Sequence, residues 1–157
     1  MKQKNITSLN WKRSFYPEET HISEPVKGFY DGLRLVYPSW HLPYNSSAFK
    51  KTMNAAVIKD HFAKLTKIYG YNVIPPHDDM IAISRFLRRD PSRIKDAIAL
   101  LEMSETNYPN SPLVAETLGD TYLMDNDKSN ALKSFQKALA LDPQKKSLQE
   151  KLKDLEK

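Results

Sequence analysis

Residues 111–143, SPLVAETLGDTYLMDNDKSNALKSFQKALALDP, read as two helices joined by a turn. The first carries apolar residues at Leu118, Tyr122 and Leu123, the second at Ala131, Leu132, Phe135, Ala138 and Leu139. Both sets follow the three-to-four spacing that puts side chains on one helical face. Gly119 and Ala131 fall where two antiparallel helices cross, and Ala138 where a further helix has to approach. A large side chain at any of these points would hold the backbones apart. Pro143 ends the second helix, because its ring blocks the next turn and it has no N–H to donate.

Leu118, Gly119, Tyr122, Ala131, Phe135 and Pro143 together resemble the tetratricopeptide repeat, whose pattern is W-x2-L-G-x2-Y, then A-x3-F, then P. Ala115 stands in place of the pattern's Trp, so the contact beneath it is expected to be looser. A single repeat cannot bury its own apolar face and needs neighbours. One period of about 34 residues earlier, Ala97, Leu101 and Pro109 occupy the places of Ala131, Phe135 and Pro143. Residues 78–110 therefore read as a degenerate copy, with Ser84 and Arg85 replacing the Leu-Gly pair. The good match covers 111–144. Leu148, Leu152 and Leu155, set among Lys and Glu, read as a capping helix over 146–157.

At the other end of the chain lies YPEETHISEPVKGFYDGLRLVY, residues 16–37. It resembles the C-terminal end of an esterase family of α/β-hydrolases, in which the last strand leads through a YP-x-E-x-H-type loop into a helix with a Tyr-Asp-Gly-Leu signature. Residues 9–16 fit the strand, Tyr16 to His21 the loop, and Tyr30-Asp31-Gly32-Leu33 the helix, with Pro25 in its first turn. The resemblance implies that His21 descends from the catalytic histidine, the general base toward a serine and then general acid toward the leaving alcohol. It also implies a helical-repeat tail, which members of that family carry.

The triad itself is missing. Its nucleophile elbow, G-x-S-x-G, and its acid lie upstream of the histidine. The four glycines, Gly28, Gly32, Gly70 and Gly119, bracket no serine at that spacing. Twenty residues before His21 are too few for a sheet and an oxyanion hole. The chain is therefore expected to be the C-terminal portion of a longer esterase, inactive on its own. Trp11, Phe15, Phe29 and Leu33, which pack on a sheet in such an enzyme, are expected to fold back on the tail or to drive self-association.

Residues 45–76 connect the two parts. Asn54 caps a helix over 55–69 with Ile58, Phe62, Leu65 and Tyr69 on one stripe. Gly70 stops that helix, and Tyr71 to Pro76 is extended. The expected fold is mainly α: antiparallel helical hairpins of tetratricopeptide type over 77–157, with a strand-loop-helix remnant of an α/β-hydrolase over 1–44.

The chain has 157 residues, 40% of them hydrophobic and 27% charged, as in ordinary globular proteins. It has no cysteine, so disulfides and thiolate metal sites are excluded. No apolar run approaches the roughly 20 residues that cross a bilayer. The N-terminus lacks an apolar signal core, so a soluble chain is expected, in a compartment the sequence leaves open; a longer parent could be exported. The net charge is +5. Lys and Arg against Asp and Glu number 6 and 4 over 1–40, 5 and 1 over 41–76, and 13 and 14 over 77–157. The excess sits at Lys50, Lys51, Lys59, Lys64 and Lys67, too sparse for a nucleic-acid stripe. His77-Asp78-Asp79 reads as a helix start with acids at its positive end. The remaining histidines have no ligand spacing, so neither metal nor cofactor is expected.

In tetratricopeptide repeats the first helix of each pair lines a concave groove. That assigns Ile83, Phe86, Glu116, Asp120, Leu123 and Met124 to a peptide-binding surface, with Ala82, Arg89, Leu113 and Thr117 beside them. A clamp for an acidic C-terminal peptide needs Lys and Asn where Glu116 and Asp120 stand. A partly apolar, basic partner fits this surface better. The expected partner is protein, either the chain's own hydrolase part or another chain, with neither nucleic acid nor membrane involved.

Overall fold

The computed structural model describes residues 13–36, 42–43 and 46–155. The chain divides into two compact units, Met1–Leu42 and Pro43–Lys157. It is mainly helical, and no strand occurs among the described residues. Arg13 to Tyr16, the described end of the expected strand, joins no ladder. A lone strand has no partner for its backbone groups, and sheets need several. Trp11 and the aromatic residues at 37, 40 and 44 lie outside the described residues.

In the first unit, helix α1 spans Glu24–Val36 and buries none of its residues. Phe15 (80% exposed), Phe29 (70%) and Leu33 (41%) all face solvent.

The second unit begins with the short helix α2, Ser47–Thr52, capped by Ser46. Helix α3, Ala55–Tyr69, has the bounds its sequence signals imply. The Asn54 side chain accepts from the Val57 N–H, and Gly70 closes the helix at φ 73°, where a side chain would be strained. The extended segment that follows is pinned: the Val73 N–H donates to Thr66 Oγ1 at 2.9 Å, and the Tyr108 hydroxyl donates to the Pro75 carbonyl at 3.0 Å.

Four longer helices and a short one follow. They are α4 (His77–Leu87), α5 (Ile94–Asn107) after a 3-10 turn at Pro91–Arg93, α6 (Pro112–Met124), α7 (Lys128–Leu141) and α8 (Lys146–Leu155). Each packs against the next, α3 packs on α5, and the α6–α7 contact is the most extensive. The starts are fixed locally. Ser111 and Asp127 accept from the backbone N–H groups of Val114 and Asn130, and Pro112 occupies the first turn of α6. Asn126, at φ 61°, turns the chain between α6 and α7.

Two apolar clusters hold the stack together. Ile81, Ile94, Ile98, Leu101, Val114 and Leu118 join α4, α5 and α6. Ala115, Ala131, Phe135, Ala138, Leu148 and Leu152 join α6, α7 and α8. Tyr122 packs against both. Each large side chain so buried contributes roughly 1.5–3 kcal/mol before chain entropy is counted. Helix α6 lies between the clusters and is buried on two faces. Its interior hydroxyls are satisfied within the helix: Thr117 donates to the Leu113 carbonyl and Thr121 to the Thr117 carbonyl, both at 2.7 Å. Phe135 lies under Gly119 so closely that a Cβ there would fall 2.7 Å from a ring carbon.

Candidate functional site

His21 sits exposed in the turn between Tyr16 and α1. That turn is built from its own neighbours. The Glu19 N–H donates to the Tyr16 carbonyl, and Thr20 and Ser23 exchange hydrogen bonds. Lys27 of α1 donates to Glu18 at 2.7 Å and Glu19 at 3.2 Å. The two segments that carry the hydrolase resemblance meet directly: the Tyr16 hydroxyl donates to Asp31 Oδ2 at 2.6 Å. That bond to Asp31 raises the Tyr16 pKa above its ordinary value. His21 forms no hydrogen bond or ion pair among the described residues.

The expected groove residues have diverging environments. Phe86 (40% exposed) and Met124 reach solvent. Ile83 is buried, one of five buried residues on α4 along with Met80, Ile81, Ser84 and Leu87. It is core rather than groove, because this helix turns that face inward. Thr117 is likewise buried, and Leu123 packs against the second cluster. The Glu116 side chain is only 13% exposed. It accepts from Lys145 and, at 3.3 Å, from Lys151; Lys151 also donates to Asp120 at 2.7 Å. The basic, partly apolar occupant that Glu116 and Asp120 call for is therefore the chain's own α8, with the Lys145 that precedes it. Leu148 and Leu152 supply the apolar part, and Lys151 Nζ stands 5.2 Å from the centroid of the Phe135 ring.

These charges make α8 sensitive to pH. Burial pushes the Glu116 pKa up, but Lys145 and Lys151 outweigh it and hold the carboxyl below its ordinary 4.5. Burial pushes Lys151 down, but Asp120 and Glu116 outweigh it and hold the ammonium above its ordinary 10.5. A depressed carboxylate stabilises fully above its unfolded value and stops doing so as pH falls through its folded value. A raised ammonium stabilises fully below its unfolded value and stops as pH rises through its folded value. The α8 attachment is thus strongest between about pH 5 and 10. The protection of the α8 amides, exchange taken relative to the unfolded chain at the same pH, should fall on acidification below 4.5, ahead of the amides of α5. In Glu116→Gln that acid limb should be shallower; an unchanged limb contradicts the assignment.

A second concavity, of about 630 Å³, lies between α3, the segment from Asn72 to Pro75 and the end of α5 around Met103. Its lining is largely alanine, aliphatic and aromatic, with Lys59 and Thr66 among the polar groups. No group of three His, Asp or Glu side chains among the described residues is arranged to hold a metal. No helix among them is long and apolar enough to cross a membrane.

Comparison of the chain with protein-family models, with curated proteins and with solved structures finds no match.

Proposed function

We propose that this chain is a non-catalytic protein-contact module: a helical tail of tetratricopeptide type attached to the histidine-loop segment of an esterase-like α/β-hydrolase. The observation that carries the reading is the crossing of α6 and α7. A glycine on one helix meets the ring of a buried phenylalanine on the other, and alanines accept the neighbouring helix α8. Helix α7 ends at Leu141, just before the pattern's Pro143, and a further helix packs on each side of the pair. In this reading the tail binds protein, either the parent enzyme's own domain or another chain.

A second reading is favoured by the Tyr16–Asp31 hydrogen bond, which ties the two hydrolase-like segments into one unit with His21 exposed at its surface. There the unit supplies the histidine of a serine esterase whose nucleophile lies outside this sequence. A chromogenic short-chain ester tests the non-catalytic reading on the isolated chain, and the second reading predicts turnover only once the missing nucleophile-bearing portion is supplied. Turnover should equal the buffer rate, and His21→Ala should leave it there. Turnover that disappears in His21→Ala overturns the non-catalytic reading.

A further inference from the structure

Where α2, the end of α4 and the Pro91–Arg93 turn come together, a groove of about 410 Å³ opens. Lys50, Lys51, Arg89 and Arg93 line it, with Phe86 and Leu87 between them and Asp90 as the one acid in the lining. Two of these charges are already committed. Asp90 caps the turn, its Oδ1 accepting from the Ser92 N–H and hydroxyl at 3.0 and 2.7 Å. Arg93 forms an ion pair with Asp96 at 3.2 Å and donates to the backbone carbonyls of Lys50, at 3.0 Å, and Met53.

Arg93 is thus a positioning residue. A six-residue helix such as α2 is too short to persist unaided. The guanidinium satisfies carbonyls at and beyond the α2 C-terminus, where a cation is also favoured by the helix dipole. It thereby holds Lys50 and Lys51 beside α4. The Lys50, Lys51 and Arg89 side chains are exposed and form no hydrogen bond or ion pair among the described residues. Phe86, half-exposed, offers an apolar contact beside them.

We propose that this groove binds an acidic peptide segment of another protein. One aromatic or aliphatic side chain of that segment rests on Phe86, between carboxylates that meet Lys50, Lys51 and Arg89. The proposal rests on the reading of the tail as a protein-contact module and specifies its partner. Three unpaired cations against one engaged acid select for negative charge and speed encounter. Exposed ion pairs add little energy one by one, so the apolar contact has to carry the rest of the affinity. A nucleic acid is less suited, because the cations form a cluster rather than a stripe and the charge over 77–157 is balanced at 13 and 14. The cations from α2 lie outside the repeat-like helices, so this groove is distinct from the Glu116 and Asp120 surface that α8 covers.

Fluorescence anisotropy on the full chain tests the proposal, with a labelled peptide in which one phenylalanine is flanked on both sides by runs of glutamate. That peptide should bind, and raising salt to about 0.5 M should weaken it about tenfold. The Lys50→Glu/Lys51→Glu double variant, Arg89→Glu and Phe86→Ala should each weaken it by about tenfold, with melting unchanged in the charge variants, whose side chains are exposed. The lysine-flanked counterpart should gain affinity for a variant that combines Lys50→Glu, Lys51→Glu and Arg89→Glu. Acidic-peptide binding that ignores these substitutions, equal binding of a glutamine-flanked peptide, or tighter binding of a single-stranded oligonucleotide through the same residues would each overturn it. If uncharged or basic peptides bind while the acidic one does not, the acidic-partner proposal fails and the contact-module reading stands. If no peptide of any charge binds, both fail.

Discussion

Replacing Gly119 by leucine should lower the melting temperature by about 6–12 °C. The Cβ alone would lie 2.7, 2.8 and 3.0 Å from three carbons of the Phe135 ring. That ring is buried and has Ala131, Ala138, Leu148 and Leu152 in the same cluster, so it has nowhere to move. Overpacking of this kind costs about 1–3 kcal/mol, and a leucine falls at the upper end. Each kcal/mol moves the midpoint of a domain of this size by about 2–4 °C. Alanine is the sharper test, because its sign reverses. In an open helix Gly→Ala stabilises by about 0.5–1 kcal/mol. At Gly32 of α1, where nothing lies within 4 Å of an added Cβ, that gain should appear as increased helicity. At Gly119 the clash should exceed it and melting should fall. A Gly119→Ala variant that melts higher than the parent would show that the two helices do not cross as closely as described.

The second large effect belongs to α8. Leu148 is fully buried, and Leu148→Ala should cost about 2–5 kcal/mol through lost transfer energy and the cavity left behind. The damage should not stay on α8. Loosening that helix withdraws Lys151 from Glu116 and Asp120 and uncovers Phe135 and Ala138. Amide exchange should therefore accelerate in α7 as well as in α8. Leu155→Ala, at the half-buried end of the helix, is the control and should be mild. Acceleration confined to α8 would mean that the helix is an appendage rather than the closing layer of the second cluster.

Much of the helical part was legible in the sequence because its signals are local. Asn54 and Gly70 bound α3 within a few residues of the positions they cap, and Pro143 falls just beyond the end of α7. The close approach at Gly119 was legible because only one residue type permits it. What periodicity could not carry were meetings between distant residues. Glu116 is covered by lysines about thirty positions away, and Arg93 holds α2 through backbone carbonyls, which leave no trace in residue identity. The single stripe read for α6 also understated it. A helix between two neighbours is buried on two faces, and Thr117 and Thr121 look polar in sequence while bonding inward to their own backbone. Ile83 was misplaced into the groove because α4 turns a broader face inward than its spacing suggests. The candidate site changes character accordingly: its acidic surface is closed from within by Lys145 and Lys151.

Tyr122 sets how the tail comes apart. Its ring touches both apolar clusters, and its hydroxyl donates to Glu102 on α5 at 2.6 Å. Burial, followed by that bond, raises its pKa above the ordinary 10, so the phenol stays protonated and the link persists through mildly alkaline conditions. Stacked helical arrays can fray layer by layer from either end. A side chain shared between layers couples their melting, so heat should dissolve α4 to α8 in one concerted step instead of a staircase.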